Sequence, residues 1–185
     1  MDDVGSVDGT QDLGVVVRAI GWIGHLVEDI PLAGTRVSVV VGIDRHAHAC
    51  RQATDTAWAM LDSDVISVWE WPEARPTAPP SVVSLVGVIA RCGGNRSGEA
   101  VRIAKKWNAF APSVVVLPQG QSISEPAYLE CGYRGLGILR RRPNSPEVDV
   151  LRHPRDVGLN LGRTGLDRWV EEVIYDRLLK EGVLN

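Results

Sequence analysis

The sequence is poor in several residue types, and each shortage excludes a class of protein. Only three cysteines occur, at positions 50, 92 and 131, and no two of them form a CxxC pair. Neither a disulfide framework nor a zinc ribbon is therefore expected. No apolar run approaches the roughly 20 residues needed to cross a bilayer, and the opening MDDVGSVD lacks the features of a secretion signal. We expect no membrane contact and a reducing, cytoplasmic environment.

Lysine is also scarce among the cationic residues. Lysine and arginine total 20, and only positions 105, 106 and 180 are lysine, which leaves 17 arginines. Because the formal net charge is -3, the chain is not a polycation, and nonspecific DNA binding driven by overall charge is not expected. Arginine forms bidentate contacts with phosphate and carboxylate, but GC-rich coding DNA produces the same bias. Composition alone leaves both explanations open.

Length and patterning indicate one domain. With 185 residues, 44% of them hydrophobic, the chain can bury a sizeable core as a single unit. We predict a disordered acidic tail over 1–12 and a single α/β domain over 13–185. The predicted strands are 36–43, 65–71, 81–91, 114–117, 135–139 and 148–151. The predicted helices are 13–30, 45–61, 101–110, 126–133 and 164–181.

The order of these elements predicts an α/β fold with a mixed central sheet of four to six strands flanked by helices. The strand–helix–strand order over 81–117 implies a parallel pair joined by a crossover helix. The prolines within 143–146 indicate a final hairpin. Four prolines within 72–80 exclude regular structure there.

Two helices carry capping signals at their starts, and their apolar patterns predict which faces are buried. Asp44 is expected to cap the helix at 45–61, and Asp167 stands at the capping-box position of the last helix. The predicted inner side of the first is Ala49, Ala53, Ala57 and Met60. The last helix is predicted to bury Leu166, Trp169, Val170, Val173, Ile174 and Leu178. His46 and His48 are two residues apart, so we interpret them as helix-surface residues rather than as metal ligands.

From residue 64 to about 155, the order of elements resembles the PD-(D/E)xK nuclease-like superfamily, which has a restriction-endonuclease-like fold. Pro80-Ser81 stands where that family has Pro-Asp, and Ile89-Ala90-Arg91 stands where it has Glu-x-Lys. The crossover helix, the strand at 114–118 and the closing strand at 135–140 follow in the family's order. The resemblance implies a nuclease-like core, followed by the C-terminal helix at 164–181.

The same positions lack the chemistry that the family uses. Its members hold Mg²⁺ between two carboxylates, and the lysine helps to position the attacking water. Ser81 and Ile89 supply no carboxylate for a hard cation, and residues 81–98 contain no acidic residue. Arg91 keeps only the positive charge. The resemblance therefore implies a degenerate, noncatalytic binding or assembly module that contacts nucleic acid, a protein partner or a second copy of the chain. We expect no catalytic residue, no metal ligand and no cofactor.

Two other functions remain open at this point. An active metal-dependent nuclease could use a migrated acidic site formed by Glu70 or Glu73. A small-anion or nucleotide-binding α/β protein could use the glycine-rich turn at 93–98, although this turn matches neither the GxGxxG nor the GK[ST] pattern.

Seven cationic residues are the candidates for contact with an anion or a nucleic acid. Four lie at the glycine-rich turn and on the helix that it opens, where free N–H groups favour anions. Three lie on the predicted hairpin, where they could contact a phosphate backbone or prevent edge-to-edge aggregation. The seven are Arg91, Arg96, Lys105, Lys106, Arg140, Arg141 and Arg142.

Overall fold

The structure is a computed structural model that describes residues 12–62, 71, 78–93, 97–155 and 164–185. Six strands form one sheet in these ranges: β1 (His25–Leu32), β2 (Thr35–Ile43), β3 (Val83–Arg91), β4 (Ser113–Leu117), β5 (Gly137–Arg141) and β6 (Val148–Arg152). Each strand lies beside its neighbours in the sequence. β1, β2 and β3 pair antiparallel, β3, β4 and β5 pair parallel, and β6 returns antiparallel to β5.

Five helices flank this sheet in the described ranges: α1 (Gly14–Ile20), α2 (Arg45–Ala53), α3 (Ser97–Trp107), α4 (Glu125–Arg134) and α5 (Gly165–Lys180). The predicted fold class is confirmed, and so is the parallel β3–α3–β4 unit. The predicted strand at 65–71 and the predicted tail lie outside the described residues except for residues 71 and 12. The described part of the proline-rich segment, 78–80, has no helix or strand, as predicted. None of the helices described here is both long and apolar enough to cross a bilayer.

The core lies on both faces of the sheet because the central strands carry consecutive buried apolar residues. β4 has the sequence SVVVL and is buried throughout, as expected for a strand covered on both sides. We call one side the α1 face, where Ile89, Val114 and Leu139 pack with Leu13 and Val16 of the α1 segment. The opposite face packs against α3, α4 and α5.

The predicted helix over 13–30 is wrong beyond residue 20. Gly21 ends α1 in the left-handed conformation with φ 72°. β1 then forms a hairpin with β2 through Ala33 and Gly34, whose φ values of 44° and 75° suit a tight hairpin turn. A bulge between Val27 and Ile30 places both residues in the core. That spacing of three imitates the periodicity of a helix, which explains the error.

The predicted inner side of α2 is also wrong. α2 ends at Ala53, and its buried residues are Ala47, His48 and Arg51. Ala49 is exposed. Because the buried side of α2 carries a histidine and an arginine, the apolar pattern pointed to the wrong face. The predicted surface position of His48 is corrected by the same observation, whereas Asp44 caps the helix as predicted, accepting a hydrogen bond from the Ala47 N–H at 2.9 Å.

The last helix begins as predicted, and its buried side matches the prediction only in part. Thr164 and Asp167 form the capping box. Val170, Ile174 and Leu178 are buried as expected, whereas Leu166 is 52% exposed. Several polar residues share the buried side, which the apolar pattern did not reveal: Arg168, Glu171, Glu172 and Tyr175.

Gly87 in the centre of β3 provides a test of packing on the α1 face. A Cβ atom added at Gly87 would lie 2.3 Å from the Trp22 ring, whereas one added at Gly93 would meet nothing within 4 Å. We expect Gly87→Ala to lower the free energy of unfolding by about 1–3 kcal/mol, because overpacking a core displaces its neighbours. Urea denaturation measures the change, with Gly93→Ala as the control. Equal midpoints for the two variants would contradict this packing.

Candidate functional site

The positions that the nuclease resemblance assigns to one metal site do not meet. Ser81 lies two residues before the first residue of β3, and Arg91 is the last residue of that strand. At about 3.3 Å per residue, the two are separated by about 30 Å. Ile89 lies between them with its side chain fully buried in the core. The two ends of β3 are therefore separate candidate sites, and each is surrounded by different polar residues.

The Ser81 end adjoins a buried charge cluster, which we define as Arg51, Arg168, Glu171 and Glu172. Arg51 is 0% exposed, and its guanidinium donates to both carboxylate oxygens of Glu172, at 3.1 and 2.5 Å. Its Nε donates to the Pro80 carbonyl at 2.8 Å. The cluster thus joins α2, α5 and the segment that leads into β3.

Further bonds within the cluster supply acceptors for its second arginine and a donor for its second glutamate. Arg168 Nη2 donates to Glu172 Oε1 at 2.6 Å and to the Pro79 carbonyl at 3.0 Å. The Ser81 hydroxyl lies 2.7 Å from Glu171 Oε2, to which it can donate. These paired groups hold the structure together rather than offering free valences to a ligand. The spacing of 168, 171 and 172 on one side of a helix is the only sequence signal that could have indicated them.

His48 and Tyr175 extend the cluster. His48 Nδ1 lies 2.9 Å from the Tyr175 hydroxyl. Burial lowers the pKa of His48, and the nearby charges of Arg51 and Arg45 lower it further. Burial likewise raises the pKa of Tyr175. Across the residues that the structure describes, no three side chains of His, Cys, Asp or Glu come together as a potential metal site.

An open cleft of about 590 Å³ lies beside this end of the sheet, lined by residues 42–45 and 81–84. Its two main polar groups already have roles in the fold. Asp44 caps α2, and Ser81 lies within hydrogen-bond distance of Glu171. The cleft is therefore a weaker candidate site than the opposite edge of the sheet.

That opposite edge is formed by the carboxyl ends of β3, β4 and β5, and we call it the carboxyl edge. Of the seven predicted anion contacts, Arg96 lies outside the described residues. Five others already have partners in the protein: Arg91 pairs with Asp29, Lys105 with Glu130 at 2.7 Å, Lys106 with the Ala33 carbonyl at 2.5 Å, Arg140 with Asp149 at 3.8 Å, and Arg142 with Glu147 at 2.5 Å. The predicted residues therefore do not form one patch of free positive charge.

Arg141 is the exception among the described members of this set. It is the last residue of β5 and lies opposite Val148 of β6. Its Nε and Nη2 atoms are buried, and neither has a hydrogen-bond partner in the described part of the chain. A guanidinium does not lose its proton at physiological pH, so burying two of its nitrogens without an acceptor is costly. Buried polar groups of this kind call for an explanation, and a bound ion is one.

Arg91 and Arg141 share both the α1 face and the carboxyl edge. Each lies two residues beyond a core residue of the α1 face, Ile89 and Leu139 respectively, and side chains two apart on a strand share a face. Arg91 pairs with Val116, which pairs with Leu139. Two strand spacings and two residues of rise place the Cα atoms of the arginines about 12 Å apart. Long side chains at this separation can approach the same anion.

The other predicted contacts lie elsewhere. Arg140 points to the opposite face from Arg141, because neighbouring residues of a strand alternate. Lys105 and Lys106 belong to α3, which packs on the face opposite α1. Cys92 follows Arg91, but burial raises the pKa of its thiol to about 11. A thiol that stays protonated at neutral pH is a poor nucleophile.

Comparison of this chain with protein-family models, with curated proteins and with solved structures finds no match. The candidate site is therefore interpreted from its own geometry. That geometry comprises two buried guanidinium nitrogens of Arg141 without partners among the described residues, a second arginine on the same face, and the carboxyl ends of parallel strands.

Substitution of Glu172 tests how much the buried charge cluster contributes to stability. Glu172→Gln keeps the side-chain volume but removes the charge that Arg51 and Arg168 share. We expect a loss of about 3 kcal/mol or more in the free energy of unfolding, because an uncompensated buried charge remains. Chemical denaturation gives this value, and Glu181→Gln, which removes a surface partner of Arg177, should change it little. A loss no larger than that of the control would exclude a central role for the cluster.

His48 should make stability depend on pH. Its folded pKa lies below the ordinary value of 6.5, so the unfolded chain binds the proton more readily. Stability is full above pH 6.5 and falls as the pH drops below it. We expect the urea midpoint to fall between pH 7.5 and 5.5, less steeply in His48→Gln than in the exposed control His46→Gln. Parallel pH profiles for the two variants would be inconsistent with a buried neutral His48.

Proposed function

We propose that this chain is a noncatalytic binding module with a nuclease-like layout, and that it binds an anionic group at the carboxyl edge of its sheet. The observation that carries the proposal is Arg141, whose Nε and Nη2 are buried without a partner in the described residues. An anion at this place would supply the acceptors that the described residues do not. Charge-assisted hydrogen bonds from arginine to phosphate or carboxylate are among the strongest in proteins.

The position of Arg141 supports the same proposal. In open α/β sheets, ligands bind outside the carboxyl ends of the parallel strands. Arg91 and Arg141 are the last residues of β3 and β5, two of the three strands that run parallel here. The proposed ligand thus lies where this class of sheet commonly binds one.

The pairing of the other cations argues for a single anionic group rather than a long nucleic-acid backbone. Asp149 and Glu147 neutralise Arg140 and Arg142 on the final hairpin. Backbone binding draws its affinity from several phosphate contacts at once. A small phosphorylated molecule or one phosphate of a nucleic acid fits this distribution of charge better than a duplex bound along its length.

A protein partner or a second copy of the chain remains the other version of a binding module. Leu129 and Tyr133 lie one turn apart on α4 and are 62% and 86% exposed, so this helix offers apolar surface. The area is small compared with a stable interface, which is why the anion version is preferred. The acids at 70 and 73, on which an active nuclease would depend, lie outside the described residues.

Calorimetric titration with inorganic phosphate tests the proposal on the full chain. We expect the wild type to bind phosphate and Arg141→Met to weaken binding at least about tenfold, because a charge-assisted bond contributes about 1.5–3 kcal/mol. Arg140→Met, which removes a neighbouring arginine on the other face, is the matched control. Thermal melting should show that Arg141→Met is as stable as the wild type or more so, since it removes two buried donors that have no partner among the described residues.

Two further measurements distinguish nucleic-acid binding from assembly with a second copy of the chain. Fluorescence anisotropy with single-stranded and duplex DNA at two salt concentrations detects nucleic-acid binding, whose affinity falls with salt. Light scattering with and without these ligands detects assembly. Absence of phosphate and DNA binding in the wild type, or an identical loss in both arginine variants, would overturn the anion proposal.

A further inference from the structure

Asp29 forms an ion pair with Arg91, the second arginine of the proposed site. Its Oδ1 forms an ion pair with Arg91 Nη2. The Asp29 side chain is 54% exposed and that of Arg91 is 28% exposed. The carboxylate can therefore return to water when it leaves the guanidinium, and the pair is open to exchange with an anion from solution.

The backbone around Asp29 is shaped to present this carboxylate. Asp29 lies in the β1 bulge and has φ 52°, a left-handed conformation that aspartate and asparagine tolerate better than most residues. Its N–H donates to the hydroxyl of the buried Ser38 at 3.3 Å, and its carbonyl accepts from Arg36 at 3.3 Å. Bulges often direct a side chain toward a functional site.

We propose that Asp29 is an internal competitor for Arg91, and that it restricts the site to the phosphate dianion of a phosphomonoester. An anion that engages both arginines must displace Asp29. A phosphodiester carries a single negative charge, as the carboxylate does, so the exchange gains it little. A phosphomonoester carries close to two negative charges, and it can neutralise Arg91 and Arg141 together. This inference rests on the proposed anion site and specifies its ligand.

Titration with methyl phosphate and dimethyl phosphate at pH 8 tests the selectivity. We expect the wild type to bind the monoester at least about tenfold more tightly than the diester, which corresponds to about 1.4 kcal/mol. Asp29→Asn keeps the left-handed backbone conformation and removes the charge. It should strengthen binding of the diester more than that of the monoester, so that the ratio of the two affinities falls at least about threefold.

Glu28→Gln is the matched control, because it removes the same charge from the adjacent residue of the bulge. The ratio of affinities should remain at the wild-type value in this variant. An unchanged ratio in Asp29→Asn, with phosphate binding still dependent on Arg141, would refute the competitor and leave the proposed function standing. If no variant binds either ester, both proposals are wrong.

An eight-nucleotide DNA strand with and without a 5′-phosphate distinguishes the sources of the monoester. If the phosphorylated strand binds more tightly than both methyl phosphate and the unphosphorylated strand, the ligand is a nucleic-acid end. Equal affinities assign it to a small phosphorylated molecule. Equal binding of the two strands, at an affinity above that of methyl phosphate, would contradict a site that selects a terminal phosphate.

Discussion

A guanidinium that enters the interior must find acceptors there, because arginine keeps its proton. Arg51 meets this constraint most completely. It is buried at 0% exposure and donates to Glu172 and to the Pro80 carbonyl. Through these bonds α2, α5 and the segment entering β3 are held in one arrangement. Breaking such a pair costs more than its net contribution to stability, because the remaining charge is stranded. The position of β3, and with it both edges of the sheet, depends on that pairing.

At the carboxyl edge the same constraint is met less completely. Most of the described cations that could contact a ligand are neutralised within the protein. Two buried donors of Arg141 have no partner in the described ranges, and they lie where parallel strands end. Departures from complete hydrogen bonding tend to occur at functional sites, where stability is given up for binding. β3 therefore separates a structural cluster at its amino end from the proposed ligand site at its carboxyl end. A nuclease-like metal site would require both ends of this strand to meet.

The elements that sequence patterns predicted well are those whose burial is apolar and local. The fully buried β4 and the capping box of α5 are of this kind. β1 was missed because its bulge gives Val27 and Ile30 a helical spacing. The buried side of α2 was missed because it is polar, and hydrophobic periodicity carries no information about a buried arginine. For the site, the sequence identified Arg91 and Arg141 as cations but not which of them would remain unpaired.

By itself, the sequence determined the class of fold, the position of most strands and helices, and the absence of acids over 81–98. These features depend on residues close together in the chain. Only the tertiary structure decided which charges pair, because the partners are distant in sequence. Arg51 and Glu172 are 121 residues apart, and Arg91 and Asp29 are 62 apart. Electrostatic pairing depends on distance in space, so it appears only when the chain is folded.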